Sequence, residues 1–242
     1  MFSQSGCDGI EGIVLDAVGT LIDPAPSVSE AYALAARRQG VSLPLGEIKR
    51  RFLTQFGTDE IDEQRGPLAT DEPTERRRWR RIVAGCLPEL PDPDRAFDEL
   101  WDHFGEPGSW IVFPDVAPAV LALRNAGFRL CVASNFDGRL HRVAAGLAEL
   151  RDWIEPLVIS SEVGFRKPHE SFYKAACDRL GLPARKVISV GDDLQNDLLG
   201  PAKAGLRSVL IARNGRARDD VASLDGLDSL VEHLVEGRNN RK

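Results

Sequence analysis

Five short apolar runs, "GIVLDA", "FRLCVAS", "PLVIS", "KVISVGD" and "RSVLIA", recur along the chain with helix-period segments between them. Each is rich in β-branched residues and bounded by turn or polar residues, the pattern of strands buried on both faces of a parallel sheet. A helix at 115–126 precedes the second run and is closed by Asn125, Ala126 and Gly127. Another at 168–180 opens on Pro168 and stops before Gly181, and a third at 194–204 ends at Gly205. This alternation predicts βαβ units and an α/β fold with a doubly wound, Rossmann-like parallel sheet. Such sheets bind ligands beyond the carboxyl ends of their strands. Asp16, Ser134, Asn135, Lys167, Asp192, Asp193 and Asp197 all follow strand ends.

From Pro24 to about Val112 the alternation stops, with helical patterns and no convincing strand. Ser27 and Glu30 make a capping box for a helix through Arg38, ended by Gly40. Further helices are predicted at 44–56, 73–86 and 93–104, separated by proline and glycine. The division expected is a core of residues 1–23 and 113–242 with an all-α cap at 24–112. Its hinges would lie near 23–26 and 110–114. The run "ERRRWRR" at 75–81 reads as a solvated helix face, and Trp79, Trp101 and Trp110 as cap packing. The polar tail "EGRNNRK" is expected to fray.

A formal charge of −6 argues against nucleic acid or an anionic membrane as partner, since both need excess positive surface. Cys7, Cys86, Cys131 and Cys177 form no C-x-x-C pair, and Cys131 sits inside an apolar run, which fits reduced thiols. The opening "MFSQSGCDG" has neither a basic nor an apolar segment, and no stretch reaches membrane-spanning length. The expectation is a cytoplasmic protein acting on a small molecule.

A strand-end carboxylate becomes a nucleophile when a cation and hydrogen-bond donors stabilise what it attacks. Asp16 is the candidate. Ser134 with Asn135 would hold oxyanions, and Lys167 would neutralise developing charge and keep Asp16 ionised. The cluster Asp192, Asp193 and Asp197 has the hard-oxygen character that Mg²⁺ prefers. The implied reaction is displacement at a phosphoryl group through an aspartyl-phosphate. His169 lies two residues from Lys167 and is a conceivable proton donor, though a first-turn helix residue is the simpler reading.

These stretches resemble the haloacid dehalogenase-like hydrolase superfamily, in its subfamily with a helical cap after the first strand. "VLDAVGTLID", "LCVASN", "GFRKP" and "VGDDLQND" match its four motifs in order, over essentially the whole chain. The resemblance implies Asp16 as nucleophile and first metal ligand, and Ser134 and Lys167 as phosphoryl-binding residues. It implies Asp192 as the second carboxylate on Mg²⁺ and Asp197 as a supporting acidic residue. Asn135 and Thr20 are candidate substrate-binding residues.

The departure is Val18. In the family's phosphatases this position is an aspartate whose main-chain carbonyl binds the metal. Its side chain protonates the leaving group and then activates water. Valine keeps the carbonyl and loses the acid–base group, whose help is typically worth ~10²–10⁴-fold. The expected activity is Mg²⁺-dependent hydrolysis of a small phosphorylated metabolite, slow on alkyl esters and least impaired on acyl or aryl phosphates. The alternatives are a metal-independent dehalogenase-like hydrolase, in which Asp16 attacks carbon, and a binding protein whose catalysis has lapsed. The family's phosphonoacetaldehyde hydrolases use a cap lysine, but "FGTDEID" offers Glu60 and Lys49 reads as surface.

Overall fold

The computed structural model describes residues 9–64, 68–153, 156–213 and 221–236, with the backbone alone for 59–64. The first eight residues with Cys7, the end of the polar tail and the Glu60 side chain lie outside the described residues.

All five apolar runs become strands of one six-stranded parallel sheet. They are β1 (Gly12–Leu15), β4 (Arg129–Ser134), β5 (Leu157–Ile159), β6 (Val187–Gly191) and β7 (Arg207–Ile211). A two-residue strand that the sequence pattern does not reveal, β8 (Ser223–Leu224), extends one edge, giving the order β5-β4-β1-β6-β7-β8. Strand β1 sits between β4 and β6, with Val14 level with both Cys131 and Ser189. The chain first builds outward on one side of β1 and then on the other. The loops after β1, β4 and β6 therefore face one crevice, the position at which doubly wound sheets bind ligands.

Both sheet faces are covered, which explains the uninterrupted apolar runs. Ile13, Leu15, Val132, Ile188 and Val190 point into a core with α5 (Val116–Asn125), α6 (Arg139–Gly146) and α10 (Leu227–Val231). Val14, Cys131, Ala133 and Val187 point the other way, against α8 (Glu170–Leu180). Cys86, Cys131 and Cys177 are buried free thiols. No helix among the described residues is long and apolar enough to cross a membrane.

Between β1 and β4 the chain builds four helices: α1 (Val28–Arg38), α2 (Leu45–Gln64), α3 (Glu72–Cys86) and α4 (Pro93–His103). The Ser27–Glu30 capping box starts α1 as expected. Helix α2 runs eight residues past the predicted 56, through a charged stretch. Each helix packs on the next and α1 closes on α4, around Tyr32, Ile48, Ile82, Val83 and Phe97. The expectation of no strand in this region fails at its two ends. Strand β2 (Ile22–Pro24) pairs antiparallel with β3 (Trp110–Val112), so both connections form one two-stranded ribbon. Three-residue strands are too short to show a period in sequence.

A second strap ties the helices to the sheet domain. Ala69 bridges Phe165 in antiparallel fashion, Thr70 N–H donates to the Gly164 carbonyl at 3.0 Å, and Arg166 N–H donates to that of Leu68 at 2.9 Å. Glu72, in the first turn of α3, accepts from Gly138 N–H at 2.7 Å and from the Ser161 hydroxyl.

Ile188 is fully buried at the middle of β6. Ile188→Ala is expected to cost about 2–5 kcal/mol in denaturant unfolding, as for large-to-small changes in a tight core. A loss below about 1 kcal/mol would contradict a sheet enclosed on both faces.

Candidate active site

The centre of the site is an ion triad. Lys167 Nζ lies 2.8 Å from Asp16 Oδ1 and 2.8 Å from Asp197 Oδ1, and all three side chains are buried. Asp16 stands one residue past β1, where its N–H still donates to the Val190 carbonyl at 2.8 Å. The chain must then turn away sharply. Ala17 O accepts from the Leu21 and Ile22 N–H groups at 2.8 and 3.0 Å, and Gly19 takes φ +86°. A side chain at Gly19 would be strained by that φ and would strike the Asp192 carboxylate. The glycine thus brings the first and fourth motif loops into contact.

Lys167 is held through its backbone by Asn135, whose Oδ1 accepts from Lys167 N–H at 2.8 Å and whose Nδ2 donates to the Lys167 carbonyl at 3.1 Å. Asn135 lines the cavity above Asp16 as expected of a substrate residue. Its amide, however, is engaged in positioning the lysine. Ser134 ends β4, is buried, and lines the same cavity.

Asp197 is tied at both oxygens, Oδ1 to Lys167 and Oδ2 to the Asp193 N–H at 3.1 Å. It acts as an anchor for the lysine. Asp193 caps the turn Leu194–Leu199, accepting from Gln195 and Asn196 N–H at 3.0 and 2.7 Å. Carboxylate oxygens of Asp16, Asp192 and Asp197 come within 4.8 Å of one another. Three acids so close repel one another, and the single charge of Lys167 offsets this only in part. An all-oxygen donor set of this kind fits a hard divalent ion such as Mg²⁺.

The Asp16 carboxyl is raised to about 6, because burial and the charge of Asp197 push it up by more than Lys167 pulls it down. Burial alone would lower the Lys167 ammonium, but Asp16 and Asp197 hold it above its ordinary value. The lysine therefore keeps its positive charge, while the Asp16 carboxyl is held above its ordinary range.

Thr20, a candidate substrate residue, sits elsewhere, and His169 takes the helix-terminus role that the sequence favours. Thr20 is fully buried outside the cavity lining, and its hydroxyl finds no hydrogen-bond partner among the described residues. Its carbonyl does the work, accepting from Arg213 Nε at 3.0 Å and Nη2 at 2.7 Å. Arg213 also reaches Asp115 at 2.9 Å, so it pins the first motif loop to the sheet domain. The sequence gives no local signal for it. His169 caps α8 by accepting from Ser171 N–H at 3.2 Å and stacks on Phe165; it does not line the cavity.

Val18 lines the cavity beside Asp16 and packs on the main core. The cavity, of about 400 Å³, extends from Asp16 up between the helices. Its upper wall includes Phe56, Trp79, Trp101 and Trp110, and also Arg78, from the charged run. Most of that run is solvated as expected, with Arg76 on Asp98 and Arg80 on Asp94. Arg78 instead is buried at 2 % exposure, with Glu75 3.8 Å away.

The fold and this centre define a hydrolase of the doubly wound class, with its acidic site at the sheet's carboxyl edge. A family profile described as haloacid dehalogenase-like hydrolase matches residues 10–205. The chain belongs to that family. It is 28% identical over 229 residues to haloacid dehalogenase-like hydrolase domain-containing protein 3 of Mus musculus, covering 91% of this chain and 90% of the relative. Pyrimidine 5'-nucleotidase YjjG of Escherichia coli (strain K12) is 31% identical over 125 residues, 47% of this chain and 56% of that protein. The structure of a HAD phosphatase from Thermococcus onnurineus shares the fold, with a TM-score of 0.64 at 23% identity over 94% of this chain and 99% of that one.

Lys167→Met leaves two buried carboxylates without their cation and is expected to destabilise the protein by about 3–5 kcal/mol at pH 7. The penalty should shrink toward acid pH. Asp16 already has a raised pKa, and without the lysine it takes up a proton still more readily. Thermal unfolding of both proteins across pH 5–8 checks this; a pH-independent difference would contradict it.

Proposed function

We propose that this hydrolase is a Mg²⁺-dependent phosphatase that transfers a phosphoryl group to Asp16, with substrates limited by the valine at position 18. The observation that carries this reading is the Asp16–Lys167–Asp197 triad at the floor of a cavity whose adjacent wall is Val18. The phosphatase and nucleotidase names among the relatives support phosphoryl chemistry as the reaction class.

In this reading the helices of residues 24–112 cap the core and exclude water from the reacting centre. Asp16, Asp192 and the Val18 carbonyl are the residues proposed to hold Mg²⁺, with Asp197 in support. The bound cation would neutralise the phosphoryl oxygens and the crowded carboxylates. Asp16 Oδ2 attacks phosphorus while Oδ1 stays on Lys167. Ser134 donates to a phosphoryl oxygen, and Lys167 offsets the charge that develops there. Asn135 keeps Lys167 in place. The ester oxygen leaves with its electron pair. The side chain at position 18 supplies no proton, so the leaving group must be stable as an anion. Water then splits the aspartyl-phosphate, again without a carboxylate base at position 18.

Phosphate release from acetyl phosphate, phenyl phosphate and an alkyl phosphate, with Mg²⁺ or with chelator, tests this. We expect metal-dependent turnover, abolished in Asp16→Asn, with the alkyl ester slower by ~10²-fold or more. Metal-independent release of halide from a 2-haloacid, with no phosphate release, would establish attack on carbon instead. Binding of phosphate without either turnover would establish lapsed catalysis.

The ionised Asp16 is the nucleophile, so turnover should fall as pH drops through the Asp16 pKa, at about 6 before a cation binds. Raising Mg²⁺ should move this acid limb to lower pH, because a neighbouring cation favours the carboxylate. A limb that ignores Mg²⁺ would place the ion away from Asp16.

A further inference from the structure

Two separate features of the cavity bear on what the phosphoryl group is attached to. The first is its upper wall. Phe52 stacks on Phe56 with centroids 5.7 Å apart, and Phe56 meets Trp79 at 6.0 Å. Across the cavity, Trp110 meets Phe136 at 6.0 Å in an edge-on pair. The Arg78 guanidinium lies 5.0 Å over Phe56 and 5.4 Å over Trp79, and Arg139 covers the Trp101 face at 3.4 Å. These contacts fix the rings in place, and with Val28, Leu53, Val83 and Leu100 they give the upper cavity a mostly apolar lining. Arg139 directs three of its five N–H donors elsewhere, two to Asp137 at 2.7 Å and one to the Trp101 carbonyl. A polyhydroxylated body would lose its hydrogen bonds to water against such walls and regain few, a cost of about 1–3 kcal/mol per unpaired group. An aromatic ring has no such groups to strand and gains from burial against apolar side chains.

The second feature is Val18, at the floor of the same cavity. With no acid at that position, the leaving oxygen departs as an anion. A phenol ionises near pH ~10, whereas an aliphatic alcohol is close to water at ~16. The missing acid thus selects the kind of leaving group that the aromatic wall accommodates.

We propose that the cavity takes phosphomonoesters of aromatic alcohols, with the ring buried in its apolar upper part beside Phe56 and Trp79 and the phenolate leaving unprotonated. This rests on the phosphatase reading above. In the first step the bond from Asp16 Oδ2 to phosphorus forms and the bond from phosphorus to the aryl oxygen breaks, its electron pair going to the phenolate. The phenolate takes its proton from solvent after release. Water then cleaves the aspartyl-phosphate to inorganic phosphate and restores Asp16.

The test compares 1-naphthyl phosphate with acetyl phosphate, which has the better leaving group but carries no ring, so any KM advantage of the naphthyl ester comes from the ring. The KM for 1-naphthyl phosphate is expected to be about tenfold or more below that for acetyl phosphate. Trp79→Leu should erase most of that ratio, and Trp79→Phe should restore it, while the kcat ratio moves little. Binding is read independently by tryptophan fluorescence with 1-naphthylmethylphosphonate, which cannot be hydrolysed, since Trp79, Trp101 and Trp110 all line the cavity. A saturable change in wild-type protein, weakened in Trp79→Leu, supports the proposal. Acetyl phosphate turnover with no KM advantage for the naphthyl ester, or with a ratio that Trp79→Leu leaves unchanged, overturns this proposal alone. Failure to turn over acetyl phosphate as well overturns the phosphatase reading and this proposal with it.

Discussion

A buried ammonium between two buried carboxylates is the constraint around which the rest of the site is organised. Lys167 cannot be moved without stranding Asp16 and Asp197, since each takes one of its 2.8 Å contacts. Unpaired charges in so dry a place are costly, so the surrounding backbone has to hold the triad to its geometry. Asn135 grips both backbone groups of Lys167. The Asp193 N–H holds the far oxygen of Asp197. Glycine at 191 lets the Asp197 carboxylate lie against the end of β6, where a side chain would collide with it. Asp16, Lys167 and Asp197 follow β1, β5 and β6 in turn, so the parallel sheet is what brings the triad together.

The helices above are coupled to this centre through the segment that carries the lysine. The strap between residues 68–70 and 164–166 ends one residue short of Lys167. Arg166 also approaches Glu75 of α3, with 3.7 Å between Nε and Oε1, and the Thr70 hydroxyl donates to that carboxylate at 2.7 Å. The β2–β3 ribbon makes the other connection, next to the first motif loop. The helices that wall the upper cavity are therefore fastened to the sheet on both sides of that cavity.

Much of this was legible in the sequence. The strands buried on both faces announced themselves because apolar residues fill every position, not alternate ones. Asp16, Ser134, Lys167 and Asp192 were legible from their places after strand ends. What stayed hidden depended on long-range geometry. Whether Asn135 faces a ligand or a backbone is decided by a loop 32 residues away. Arg78 was concealed in a run of arginines in which helical geometry turns one inward and its neighbours out. Arg213 reaches Thr20 across 193 residues, a separation at which no local pattern operates. Strands β2, β3 and β8 exist through their partners, being too short to carry a period.

Position 18 carries the consequence for mechanism. In the mechanism proposed above, a valine there removes the proton donor for the first half-reaction and the base for the second, while Asp16 and Lys167 stay in place. With a good leaving group the first half can still proceed, and the second becomes the bottleneck. The most direct measurement is the mass of the intact protein and of its Asp16 peptide after acid quench during turnover of acetyl phosphate with Mg²⁺. The account predicts that a phosphoryl adduct on Asp16 builds up to a large fraction of the enzyme, and falls when aspartate is restored by Val18→Asp. Turnover with no adduct on Asp16, or an adduct on another residue, would contradict it.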